Sequence, residues 1–220
     1  MTRQAQVRCP APACGRLFVV APSRLGKRAA CPHCGSAMTA RPLEIERQLA
    51  EQERRVAGSD GEPRRCVPCS ALIDNVRSLW NVGAIFRSAD GCGLERLVLT
   101  GITGHPPRKE ISKTALGAEQ AVAWEYRAEA IDALREYREA GYRTVALELS
   151  DRAEPLDRYE WRPKSLLVVG NEVAGVSDPL LHECQDHISI PMLGAKNSFN
   201  VAVAFGIAAF SASRALVEKG

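Results

Sequence analysis

Short apolar runs at residues 70–73, 94–99, 144–149, 166–169 and 187–190 recur along the last two thirds of the chain and predict strands. Helical patterns lie between several of them, clearest in AEAIDALREYREAG, where Gly141 is a natural C-terminal stop. A second helix is expected from Val82 to about Asp90, capped by Asn81, with Val82, Ile85, Phe86 and Ala89 as its buried face and Gly91 and Gly93 ending it. A third, rich in Ala, Val, Phe and Ile, should run from about Ser198 to Arg214 and be buried over most of its surface. Strands that alternate with helices indicate an α/β domain built on a mostly parallel sheet.

Size and composition limit what surrounds that domain. With 220 residues, 45% hydrophobic and 25% charged, one full core and a small appendage are expected. No apolar stretch approaches the roughly 20 residues of a membrane span, and the opening MTRQAQVRCP lacks the apolar segment of a signal peptide. The expectation is a cytoplasmic protein with no membrane partner. The net charge of +3 is unevenly placed: no acidic residue precedes Glu44, whereas Arg3, Arg8, Arg16, Arg24, Lys27, Arg28 and Arg41 do. Such a cationic front end suits a phosphate backbone.

Eight cysteines in a chain without a secretion signal read as metal ligands or reduced thiols rather than a disulfide framework. Cys9 and Cys14 form a C-x4-C pair and Cys31 and Cys34 a C-x2-C pair, with 16 residues between the pairs. Four thiolates on two tight turns can surround a zinc ion tetrahedrally, which predicts a zinc ribbon over residues 1–41. Its few large apolar residues leave much of the folding free energy to the metal. His33 is expected to be a bystander, and Arg16, Arg24, Lys27 and Arg28 to face that phosphate backbone. Cys66 and Cys69 have no partner pair and are expected to be core or edge thiols. Residues 42–65 predict a charged helix, with Glu51 and Arg55 at i,i+4, followed by a flexible linker; the main domain then spans 66–220.

Three blocks carry the chemistry: NVRSLWNVGAIFRSADGCG (75–93), LLVVGNEVAGVS (166–177) and ISIPMLGAKNSFNVAVAFG (188–206). No G-x-G-x-x-G follows the first strand, so a Rossmann dinucleotide site has no support. Glycines after residue 169 allow close backbone approach to a ligand, and Glu172 is an acceptor at a strand's carboxyl end. Ser198 and Asn200 sit where a helix begins and can hold an anionic group. Arg87, among apolar neighbours, needs either an anionic partner or a cleft to face. Residues 100–124, polar and Pro/Gly-rich, read as a substrate-facing loop with Arg108 and Lys113 as RNA contacts; His105 reads as merely exposed.

In order and spacing the three blocks resemble the SpoU branch of the SPOUT RNA ribose methyltransferases over about residues 70–215. The resemblance implies a C-terminal trefoil knot, S-adenosylmethionine as methyl donor, a homodimer, and methylation of a ribose 2′-hydroxyl in tRNA or ribosomal RNA. It matches Arg87, Asn81, Glu172, Ser198 and Asn200 to catalytic positions. It matches Leu147, Gly170, Asn171, Gly175, Ile190, Met192, Gly194 and Ser198 to cofactor contacts. Two roles for Arg87 stay open, a base in a desolvated site or a fixed cation, since a guanidinium gives up its proton with difficulty. The rival is a non-catalytic RNA-binding protein of the same fold.

Overall fold

The structure, a computed structural model, describes residues 5–40 and 65–217. The expected helix and linker of residues 42–65, with Glu51 and Arg55, fall outside the described residues apart from Arg65. The chain divides into two compact units, residues 1–63 and 64–220.

The first unit is two antiparallel hairpins. Strands β1 (Ala5–Arg8) and β2 (Leu17–Val20) form one, and β3 (Arg28–Ala30) and β4 (Ala37–Thr39) the other. Each cysteine pair sits at a hairpin's turn, where Cys9 N–H donates to the Arg16 carbonyl and Cys31 N–H to that of Ser36. Its small core joins Val7, Cys9, Cys31, Met38 and Ala40.

The second unit is a seven-stranded sheet in which every pairing is parallel. In chain order its elements are β5 (Cys69–Asp74), α1 (Leu79–Gly91), β6 (Arg96–Thr100), α2 (Lys109–Ala115), α3 (Ala118–Ala121), β7 (Ala123–Arg127), α4 (Ala130–Glu139), β8 (Arg143–Leu147), β9 (Glu154–Pro155), β10 (Ser165–Val169), α5 (Asp178–Glu183), β11 (Asp186–Ser189) and α6 (Val201–Val217). Strand order is β7-β6-β5-β10-β8-β11-β9. The central strands β5 and β10 are buried at every position, because side chains alternate between two covered faces. Ala71, Ile73, Leu97, Leu99, Leu167 and Val169 pack under α1, α2, α3 and α6. Leu72, Val98, Ala146, Leu166 and Val168 pack under α4 and α5.

Four expectations need correction. Helix α1 begins at Leu79, one turn early: its N-cap is Ser78, whose hydroxyl accepts from Asn81 N–H at 3.4 Å, so Asn81 lies inside the helix with its amide free for other partners. Its predicted buried face holds, since Val82, Ile85, Phe86 and Ala89 are all enclosed. Helix α6 begins at Val201 rather than Ser198. Asn200 is the capping residue, its side-chain oxygen accepting from Ala202 N–H at 3.0 Å. The same helix is not buried over most of its surface: Val203, Ile207, Phe210 (61% exposed) and Val217 form an exposed apolar stripe. Finally, residues 100–124 are not one loop. Ile111, Ala115, Ala118 and Val122 are buried and pull α2 and α3 onto the sheet, and the left-handed pair Leu116 and Gly117 makes the corner between them.

Candidate active site

A cleft of about 290 Å³ opens at the carboxyl ends of β8, β10 and β11, the place where parallel α/β sheets receive ligands. Leu147, Glu148 and Leu149 line it from the end of β8, residues 169–175 from the end of β10, and Ser189, Ile190, Met192 and residues 197–199 from the segment leading to α6. Of the cofactor residues expected from sequence, Leu147, Gly170, Asn171, Gly175, Ile190, Met192 and Ser198 are in this lining. Gly194 lies outside it, in an exposed loop.

The glycines are sterically required. A Cβ on Gly170 would meet the Gly175 carbonyl at 2.1 Å and Val176 N at 2.4 Å, and neither backbone atom can step aside. Gly175 has φ +70, and a Cβ there would lie 2.1 Å from the Glu148 carboxylate. Residues 171–175 form a closed turn: Asn171 and Gly175 exchange backbone hydrogen bonds at 2.9 Å, and the Asn171 side-chain oxygen accepts from Val173 and Ala174 N–H. Its amide donates to the Asn75 carbonyl at 2.8 Å, tying the turn to the end of β5.

Glu148 was missed by sequence reasoning. Its two carboxylate oxygens accept from Leu149 N–H and Val176 N–H, both at 2.9 Å, so it fixes the cleft's rim from within. Its position at the end of a predicted strand, next to Leu147, was the available signal.

Beside the cleft the three sequence blocks meet in one hydrogen-bonded chain. Glu172 accepts from Ser78 N–H (2.9 Å), Arg77 N–H (3.0 Å) and the Asn81 amide (3.0 Å). Asn81 in turn accepts from the Asn200 amide at 3.1 Å. A carboxylate thus caps the start of α1, where the helix dipole favours negative charge. Burial pushes the Glu172 carboxyl up, but the hydrogen bonds from Ser78, Arg77, its own backbone and Asn81 outweigh it and hold the group below its ordinary value. Asn81, Glu172 and Asn200 are therefore joined, and Ser198 lies on the adjoining cleft wall.

Arg87 is elsewhere. It is exposed on α1, outside the cleft lining, and its side chain has no ion pair or hydrogen bond among the described residues. A cation left unpartnered two turns from the hub is available to an anion from outside the chain.

In the first unit, the Sγ atoms of Cys9, Cys14, Cys31 and Cys34 all lie within 4.8 Å of one another. Cys9 and Cys34 are 3.7 Å apart and Cys14 and Cys31 3.9 Å apart. Four sulfurs held about 2.3 Å from a tetrahedral zinc ion would be about 3.8 Å apart, so the donor set fits that ion. His33 is exposed and its Nδ1 lies 3.2 Å from the Arg16 guanidinium, outside the sulfur cluster. Arg16, Arg24, Lys27 and Arg28 are all exposed. Among the remaining thiols Cys69 and Cys184 are buried and Cys66 is exposed; burial pushes Cys69 up to about 12.

Residues 68–210 match the model of the SpoU rRNA Methylase family. A tRNA (guanosine(18)-2'-O)-methyltransferase of Aquifex aeolicus is 33% identical over 149 residues, covering 68% of this chain and 70% of the relative. The crystal structure of the A. aeolicus TrmH/SpoU tRNA modifying enzyme superposes with a TM-score of 0.66 at 30% identity, over 81% of this chain and 87% of that one. An AdoMet-bound rRNA methyltransferase from Sinorhizobium meliloti gives 0.64 at 32% identity, over 71% of this chain and 59% of its own.

Proposed function

Because this chain belongs to the SpoU rRNA methylase family, we propose that it transfers a methyl group from S-adenosylmethionine to a ribose 2′-hydroxyl of RNA. The observation that carries the reading is the Glu172–Asn81–Asn200 chain at the mouth of a strand-end cleft, which unites the three blocks that resemble the family. The relatives named above act on tRNA and on ribosomal RNA, and the substrate here belongs to one of those classes.

Leu147, Val169, Ile190, Met192 and Val201 offer apolar walls for an adenine, and the Gly170–Gly175 turn offers backbone groups at close range. Bound S-adenosylmethionine supplies a methyl already activated on a sulfonium, so the protein must orient the acceptor and manage one proton. Arg87 provides the fixed cation that stabilises the developing 2′-oxyanion and holds the adjacent phosphate, and the hydroxyl proton leaves to that phosphate or to water as the methyl passes from sulfur to oxygen. Ser198 and Asn200 position the acceptor and the cleft wall. Glu172 sets the first turn of α1 through Asn81 and two backbone N–H groups; it acts as a positioning residue.

The reading extends to four features. The four cysteines hold structural zinc, and the ribbon they fold presents Arg16, Arg24, Lys27 and Arg28 to RNA, with Arg108 and Lys113 adding contacts from the main domain. A homodimer covers the α6 stripe of Val203, Ile207, Phe210 and Val217; leaving so regular an apolar row in water is unfavourable, and the stripe continues from Asn200 at the hub. The trefoil knot implied by the resemblance is part of this reading, as is a cytoplasmic location, where tRNA and ribosomal RNA reside. Among the described residues no helix is long and apolar enough to cross a membrane.

The test is labelled methyl incorporation into tRNA and ribosomal RNA, with zinc content and solution mass measured on the same protein. Incorporation in a 2′-O-methylated nucleoside, one zinc per chain and a mass near two chains are expected. Absence of cofactor binding would return the protein to the rival reading of a non-catalytic RNA binder.

A further inference from the structure

Trp80 stands in the first turn of α1, next to Asn81, and is 50% exposed although Val82, Ile85 and Phe86 behind it are fully buried. The ammonium of Lys113, on α2, lies over its ring, 5.8 Å from the centroid. Beside Lys113, residues Pro107, Arg108, Lys109 and Ser112 line a shallow groove of about 380 Å³. The side chains of Arg77, Arg87, Arg108 and Lys109 have no ion pair or hydrogen bond among the described residues, and Glu110 is the one acid on α2. An indole half in water, flanked by cations without counter-charges, matches the two faces of an unpaired nucleotide: a base stacks on the ring while its phosphates meet the cations. A protein partner would call for a wider apolar surround, which the groove of Arg108, Lys109, Ser112 and Lys113 does not give.

We propose that Trp80 is a stacking platform for an unstacked nucleotide adjoining the methylated ribose, with Lys113 at the ring and Arg108 and Lys109 on the neighbouring phosphates. The inference rests on the RNA methyltransferase reading, because its place one residue from the Asn81–Glu172–Asn200 chain is what ties the platform to the acceptor. Stacking there would fix a ribose that is free to rotate in single-stranded RNA, which is an orientational contribution to catalysis.

Full-length protein should be titrated with a short single-stranded RNA of mixed sequence, and with tRNA, while following tryptophan fluorescence. Of the three tryptophans, Trp161 is buried and Trp124 is half-buried with His105 stacked on its ring, so Trp80 is the most exposed to a base. RNA should quench the wild type, and Trp80→Phe should abolish most of the quench while keeping near-normal RNA affinity. Trp80→Leu, apolar but without a π-face, should weaken RNA binding about tenfold and leave S-adenosylmethionine affinity unchanged. Normal RNA affinity in Trp80→Leu, a quench that persists in Trp80→Phe, or no RNA binding by the wild type would overturn the platform. If the wild type shows Trp80-dependent RNA binding but methylates no RNA, the stacking contact stands, and its place beside a methylated ribose falls together with the enzyme reading.

Discussion

The two faces of the central sheet carry their positive charges differently. Around α4 and α5, cations meet carboxylates: Arg135 and Arg138 share Glu183, and Arg127 pairs with Glu125 and Glu136. Around α1 and α2, Arg77, Arg87, Arg108 and Lys109 have no such partner among the described residues. Both faces have ordinary apolar cores beneath them. The difference therefore lies in what the charges are for. Paired cations are satisfied within the chain, whereas those on the face bearing the Asn81–Glu172–Asn200 chain are left open to an anion from outside it.

The contrast breaks most sharply at Arg87. Arg87→Ala should lower methyl transfer by about 10²–10³-fold while leaving S-adenosylmethionine binding intact, as read by single-turnover kinetics and calorimetry. Next is the strand-end cleft: Gly170→Ala forces a Cβ against the Gly175 and Val176 backbone, and should abolish cofactor binding and cost about 1–3 kcal/mol in denaturant unfolding. On the unpaired face, Arg108→Ala or Lys113→Ala should flatten the plot of log RNA affinity against log salt by about one unit each, without moving the melting temperature. On the paired face the pattern should invert. Arg135→Ala should leave RNA affinity unchanged and barely move the melting temperature, as expected for an exposed pair.

Acid has the gentlest effect, at an ion pair on the amino ends of β8 and β11. The Asp186 carboxyl is held below its ordinary value, chiefly by hydrogen bonds from Arg143, with a further one from Tyr159. A carboxyl lowered in the folded state contributes stability that is complete above its unfolded value and is lost as pH falls through the folded one. The melting temperature should accordingly drop as pH falls below the ordinary carboxylate range, and an Asp186→Asn variant should show a shallower drop from a lower plateau.

Much of this was legible in the sequence because the determining signals are local. The buried runs of β5 and β10 announce strands covered on both sides, and the apolar spacing of Val82, Ile85, Phe86 and Ala89 announces one face of α1. Helix starts were less legible. Asn81 and Ser198 are both good caps in isolation, but Ser78 and Asn200 won because Asn81 was drawn to Glu172, ninety-one residues away. No local pattern carries that information. Helices α2 and α3 were hidden by a polar, Pro/Gly-rich composition, and only contact with the sheet shows why Ile111 and Ala118 fold inward. The α6 stripe reads as core in sequence because an apolar residue looks the same there whether its own chain covers it or leaves it exposed.

Within the site, glycines and carboxylates at strand ends were readable by residue type, and seven of the eight cofactor residues named from sequence line one cleft. Glu148 escaped because nothing in its neighbours marks it as the group that holds Val176. Trp80 escaped because exposure cannot be read from a helical period when the helix start is misplaced by a turn.

The central claim is that the unpaired face serves a methyl transfer to RNA ribose. The direct measurement is incorporation from labelled S-adenosylmethionine into tRNA and, separately, into ribosomal RNA lacking the modification, with Arg87→Ala alongside and nucleoside analysis of the product. Label confined to a 2′-O-methylated nucleoside and lost in the variant is the predicted result. Near-normal incorporation by Arg87→Ala, or label on a base rather than a ribose, would contradict the account.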